Sequence, residues 1–208
     1  PGFLGNLSGM VRQVFLFKVM ALHGAEAGLV VFSAIYRTFS FSVTPTFGIV
    51  QALQPVAGMN HGAKQFRRAR ESYAVFLKYS VALMAVIALP LLLFPGAVLS
   101  ALIPDTSLTR TDVFHFRLLI SIMLFFPVFP NSVTFLQAIG KGHLASWMTI
   151  GRDVLLFCPM VAACWFWGAA DSLYYGIFLE NALCSLAFLG VMAGALKRMK
   201  ADKSETAG

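Results

Sequence analysis

The chain has 208 residues, 58% of them hydrophobic and 12% charged, with a mean hydropathy of +0.76. A soluble domain carries roughly 25% charged residues, so this composition excludes a water-soluble globular protein and places the chain in a bilayer. The net charge of +7 lies mainly in short connections and in the tail, where it sets topology and speaks against a nucleic-acid partner.

A helix needs about 20 apolar residues to cross the hydrocarbon core, and six spans fit. They fall near 2–22, 27–59, 72–95, 113–139, 145–167 and 173–195. The first carries Arg12, Gln13 and Lys18 and ends at His23-Gly24. Charges inside a membrane need a partner or water, which makes Arg12 and Gln13 candidates for a cavity wall; Lys18, nearer the span's end, can snorkel. The second span holds Arg37 and runs into GIVQALQPVAGMNHGAKQFRRARE, residues 48–71. It is too long for one straight crossing. Pro45, Gly48 and Pro55 predict a bent helix that overhangs near Asn60 to Lys64.

The third span ends at Pro95-Gly96, and Pro104-Asp105 follows in the long connection. The fourth begins near Arg117 and contains Pro127, Pro130, Asn131 and Gln137. Two prolines three apart predict a broken helix of the kind that forms transport sites. The fifth carries Arg152-Asp153 and the sixth Glu180-Asn181, readable either as a cavity lining or as an ion pair that fixes helix packing. Trp165, Trp167, Tyr174 and Tyr175 flank the connection between them and suit an interfacial belt.

Basic residues then orient the chain. Lys64, Arg67, Arg68 and Arg70 follow the second span, Lys141 the fourth, and Lys197, Arg198, Lys200 and Lys203 the sixth; the long connection 96–112 has only Arg110. Under six spans all the rich segments share one side, which is cytoplasmic. Residues 1–196 are thus expected to form one six-helix membrane unit and 197–208 a disordered, basic cytoplasmic tail. The chain begins with Pro1 directly before apolar sequence, as expected of a piece cut from a longer chain.

No phosphate loop, dinucleotide fingerprint, HExxH or Cys-x-x-Cys is present, so neither an enzyme, a metal site nor a cofactor is expected. Cys158, Cys164 and Cys184 stand in apolar runs and read as buried hydrophobes.

The block at 48–71 resembles the end of the second helix in the C-terminal half of multidrug and toxic compound extrusion (MATE) transporters, through Gln51, Gln54, Pro55, Gly58, Asn60, Gly62 and Ala63. A second block, FLQAIGKGHLASWMTIGRDVLLFCPM, is similar to that family's pattern through Gln137, Gly140, Lys141, Ala145, Arg152 and Pro159. Glu180 stands at an acidic position of the family, and Arg37 at a commonly basic one. The resemblance implies an all-α membrane fold: one six-helix lobe of a two-lobe transporter built as parallel 6+6 repeats, working by rocking of the lobes.

It further implies efflux of amphipathic or cationic compounds coupled to a proton or sodium gradient, at the plasma (inner) membrane, as a multi-pass protein with a cytoplasmic C-terminus. The partners implied are the bilayer, small export substrates, and a preceding N-terminal lobe or partner half-chain. Some members carry cation-binding carboxylates in the first and fourth helices of this lobe. Here those helices have none, so the ion site is expected in the other lobe. Arg12, Gln13, Arg37, Asn131 and Gln137 are the expected cavity residues. Two alternatives remain open: a lipid-linked oligosaccharide flippase of the same superfamily, which needs a strongly basic cavity, and a non-transporting six-span subunit.

Overall fold

The computed structural model describes residues 9–14, 16–18, 21, 26–104, 107–157 and 172–205. Helix α1 is helical at residues 9–14 and 16–18. It is followed by α2 (Glu26–Gly62), α3 (Phe66–Leu93), α4 (Pro95–Leu102), α5 (Arg110–Ser121), a 3₁₀ turn (Ile122–Leu124), α6 (Val128–Ala138), α7 (Gly142–Ile150), a π-helical turn (Gly151–Leu156) and α8 (Ser172–Glu205). These group into the six predicted segments. Phe66–Leu93, Arg110–Ala138 and Ser172–Lys197 are, among the described residues, the helices long and apolar enough to cross a membrane. Helix α2 is longer still and carries Arg37, Gln51 and Gln54 along its length.

Helix α2 has 37 residues and keeps Pro45 and Pro55 inside it. At about 1.5 Å per residue it reaches about 55 Å, well past a core of about 30 Å. The fourth segment is broken where expected. Helix α5 passes into the 3₁₀ turn, Pro127 becomes the N-cap of α6, and Pro130 occupies its first turn, where a missing N–H costs nothing. Helix α5 opens with a capping box: Thr109 and Asp112 satisfy each other's backbone N–H groups.

Two expectations change. Arg67, Arg68 and Arg70 lie not in a connection but in the first turns of α3, and the turn from α2 spans only residues 63–65. Arginine is a good helix former, and Arg67 donates to Glu71 at 2.7 Å one turn on. Helix α8 continues into the tail as far as Glu205.

The two larger apolar cores stack along the lobe. One, around Phe32, Ile35, Met84, Phe116, Ile120 and Tyr174, lies toward the end distant from the basic turn. The other, around Leu53, Ala57, Tyr73, Phe135, Leu136 and Met192, lies beside that turn. Within the bundle, Tyr73 shares a hydrogen bond with Ser132 at 2.9 Å, and the Asn131 amide donates to Ser80 at 3.1 Å. The buried Thr46 hydroxyl has no partner among the described residues, whereas several other hydroxyls bond back into their own helices, as Thr149 does to the Ala145 carbonyl at 3.0 Å. Lipid offers no other partner, so this internal satisfaction is what lets Ser and Thr enter a span.

Candidate transport site

A cavity of about 360 Å³ opens where α1, α2, the α5–α6 break, α7, the π turn and α8 converge. Helix α2 gives it an aromatic wall through Tyr36, Phe39 and Phe47, and the broken segment adds Phe126 and Phe129. Its polar wall is Arg12 from α1, Thr149 from α7, Arg152 and Asp153 from the π turn, and Asn181 from α8. An aromatic pocket with a few convergent polar groups is the general form of a small-molecule site.

The charges form one network with Glu180. One nitrogen of the Arg12 guanidinium donates to Glu180 Oε2, and another lies 3.6 Å from Asp153 Oδ1. Arg152 Nε donates to Glu180 Oε1 at 3.3 Å, and its Nη2 donates to Asn181 Oδ1 at 3.2 Å. Asn181 returns an N–H to Glu180 Oε2 at 3.3 Å and gives another to the Ile177 carbonyl at 2.8 Å. The Glu180 side chain is fully buried, while Arg12, Arg152 and Asp153 keep 14%, 11% and 9% exposure toward the cavity. Two guanidinium groups face two carboxylates, so the cluster is formally neutral. Each arginine also lies over an aromatic ring, Arg12 at 4.7 Å from the Phe157 centroid and Arg152 at 4.2 Å from that of Phe129.

Local backbone makes this possible. The π turn closes with the Phe157 N–H donating to the Arg152 carbonyl five residues back. A π turn advances each residue less around the axis than an α turn, so Arg152 and Asp153, adjacent in sequence, share the cavity side. Such turns are frequent at functional sites.

Of the expected cavity residues, Arg12 lines this space. Gln13, one step around α1, is exposed and outside it. Arg37 lines a different cavity, between α2, α3 and α4. Asn131 is fully buried; its amide donates to Ser80 and to the Pro127 carbonyl at 2.8 Å, and its Oδ1 has no partner among the described residues. Gln137 sits near the end of α6, where its carbonyl accepts the Gly140 N–H at 3.1 Å. The sequence reading offered the Arg152-Asp153 and Glu180-Asn181 doublets as a cavity lining or an ion pair, but passed over Thr149 and the aromatic wall.

The MatE family model matches residues 3–162 of the chain. The chain belongs to the MATE family. A search of curated protein sequences finds no match. Among solved structures, a MATE protein in its bent conformation superposes with a TM-score of 0.86 at 18% identity, over 97% of this chain and 45% of that one. The outward-facing form of a multidrug resistance MATE transporter of the MOP superfamily gives 0.82 at 20% identity, over 95% and 44%. The inward-facing form gives 0.82 at 19%, over 95% and 46%. The chain therefore spans less than half the length of the structures it resembles, and corresponds in fold to one lobe.

The MATE motif residues take distinct places. Gln51, Gln54 and Pro55 are exposed on one face of α2, while Leu53 and Ala57 face inward. Gly58 is the point of close approach to α6: a Cβ there would lie 3.6 Å from the Ala138 carbonyl. Asn60, Gly62 and Ala63 build the turn into α3, with the Asn60 carbonyl accepting the Gln65 N–H at 2.8 Å and its amide donating to the Val56 carbonyl at 2.8 Å. Gly140 and Lys141 end α6 the same way. Arg152 and Glu180 are the centre of the charge network. Pro159 lies outside the described residues.

Proposed function

We propose that this chain is one lobe of a secondary active exporter, moving amphipathic or cationic compounds by proton- or sodium-coupled antiport as two lobes rock between inward and outward openings. The observation that carries the reading is the aromatic cavity with its balanced charge network, in a family of transporters whose structures include both openings. Asp153 and Glu180 neutralise Arg12 and Arg152, which removes the basic surplus that would repel a cationic compound. The same balance speaks against the flippase alternative, since a pyrophosphate would find no surplus positive charge. Both acids are already engaged by arginines, which supports an ion site in a preceding lobe or partner half-chain.

The exposed Gln51–Gln54–Pro55 face of α2 supports a second protein surface beside it, because amides facing lipid would go unsatisfied. We place the protein in the plasma (inner) membrane with the basic turn and the C-terminus cytoplasmic, on the asymmetry of Lys and Arg. Function then lies in moving a compound, not in changing a bond.

Dye efflux from cells carrying the full-length protein tests this. Export should collapse on adding an uncoupler or removing sodium; export indifferent to both gradients overturns the antiport reading.

A further inference from the structure

A second cavity of the lobe is larger than the charged one. A groove of about 800 Å³ lies between α2, α3 and α4 and contains Arg37. Its walls are otherwise almost wholly apolar, with Phe41, Leu91, Val98 and Leu102 prominent. Phe41 is 83% exposed, so the groove opens outward from the bundle. Ser33 stands one turn before Arg37 on the same face of α2, and Ser42 also lines the groove. Arg37 has no carboxylate partner among the described residues, unlike Arg12 and Arg152.

Depth supplies the second half of the argument. Arg37 on α2 and Leu91 on α3 each stand about 25 residues, or about 37 Å, from the α2–α3 turn. A bilayer is about 30 Å thick in its hydrocarbon and about 40–45 Å with its headgroups. With the basic turn at one surface, Arg37 therefore falls at the headgroup level of the opposite leaflet, and Phe41 and Ser42 reach below it into the acyl region. An arginine at that depth above an apolar groove matches a phosphate above an acyl chain. The guanidinium offers a fork of N–H donors to phosphate oxygens, and the groove covers the chain.

We propose that this groove holds a phospholipid of the leaflet opposite the basic turn, its phosphate on Arg37 and an acyl chain along Phe41, Leu91 and Leu102. The site is separate from the transport cavity and does not depend on the antiport reading.

Native mass spectrometry of the full-length protein, delipidated in detergent and titrated with dioleoyl phosphatidylglycerol, tests it. Dioleoylglycerol, with the same chains and no phosphate, should be held far less well. Arg37→Gln should lower phosphatidylglycerol occupancy by about five- to tenfold at matched lipid concentration. Arg37→Lys, which keeps the charge, should retain most of the binding, and Leu102→Trp should lower it by filling the groove with Arg37 intact. Arg117→Gln, an exposed arginine on α5, should leave it unchanged. Equal occupancy in wild type and Arg37→Gln overturns the proposal. So does equal loss in Arg37→Gln and Arg37→Lys, or equal retention of the phosphate-free lipid. A full-length protein that retains no phospholipid shows the groove covered by protein and overturns it too.

Discussion

Two groups of charged residues in this lobe are built from the same chemistry and put to opposite uses. Arg12, Arg152, Asp153 and Glu180 meet inside the bundle, joining three helical segments that are far apart in sequence. Lys64, Arg67, Arg68, Arg70 and Glu71 crowd the α2–α3 turn, where Arg67 and Glu71 pair with their side chains 78% and 56% exposed. Inside, each charge has given up water and depends on its partners; removing one strands the rest. At the turn each charge keeps its water, and the pair adds little to folding. Their worth there is topological, since basic residues resist translocation. What a charge does in this protein is thus set by its depth, and substitutions at the two sites should separate cleanly.

The largest effect is expected at Glu180, which accepts from both arginines. Glu180→Gln should destabilise by about 3–5 kcal/mol, the usual cost of leaving buried charge uncompensated. A thermal unfolding midpoint in detergent, together with membrane abundance, would register it. Replacing Arg152 and Glu180 together by leucine should cost less than either single change, because the pair then vanishes without a stranded charge. A double variant as unstable as the sum of the singles would mean the residues do not act as a pair.

Arg12→Ala comes next. Glu180 keeps Arg152 in this variant, so the expected cost is about 1–3 kcal/mol. Here the transport assay decides between the two roles the residue could have. Changed export at unchanged abundance assigns Arg12 to the cavity's function. Lost abundance with normal export per molecule assigns it to packing alone.

The sequence carries these two sites with unequal clarity. Apolar runs closed by Gly, Pro and Lys/Arg mark the six segments, and the Pro127/Pro130 spacing marks the break between α5 and α6. Those are local signals. Arg12 and Glu180 are 168 residues apart, and nothing local pairs them; the chain shows only that each needs a partner. The π turn has no composition of its own, so the shared direction of Arg152 and Asp153 is also invisible before folding. Basic residues mislead in the other direction. Arg67 to Arg70 read as a connection because they are charged, yet an arginine-rich turn of helix is stable in water and α3 simply begins there.

A smaller contrast runs between the two turns at the ends of the family blocks. Each ends a helix with a 6→1 and a 5→2 backbone bond: Gln65 N–H to Asn60 at 2.8 Å and Lys64 N–H to His61 at 2.9 Å, against Lys141 N–H to Leu136 at 2.8 Å and Gly140 N–H to Gln137 at 3.1 Å. The left-handed residue is Gly140 in one, at φ +78°, and Lys64 in the other, at φ +58°. A Cβ at Gly140 meets open space, so only backbone preference is at stake. Gly140→Ala should cost about 1 kcal/mol, and Lys64→Gly should gain up to about 1 kcal/mol, both readable as opposite shifts in the unfolding midpoint. Gly62, two residues before Lys64, is still helical; Gly62→Ala should not destabilise.

The smallest effect is expected from acid at the turn itself. The Arg67 hydrogen bond, reinforced by the charges of Arg67, Arg68 and Arg70, holds the Glu71 carboxyl below its ordinary range against the partial desolvation that opposes it. A carboxylate with a lowered folded pKa contributes stability above its unfolded pKa and loses it as pH falls through the lowered folded value. The sign is therefore destabilisation on acidification, but the pair is solvent-screened. Arg67→Ala should leave the unfolding midpoint and its dependence on acid unchanged within error, while Glu180→Gln moves the midpoint by many degrees under the same conditions. An Arg67→Ala shift comparable to that of Glu180→Gln would show the turn to be a structural clamp, and the contrast between the inner and outer charges would fall.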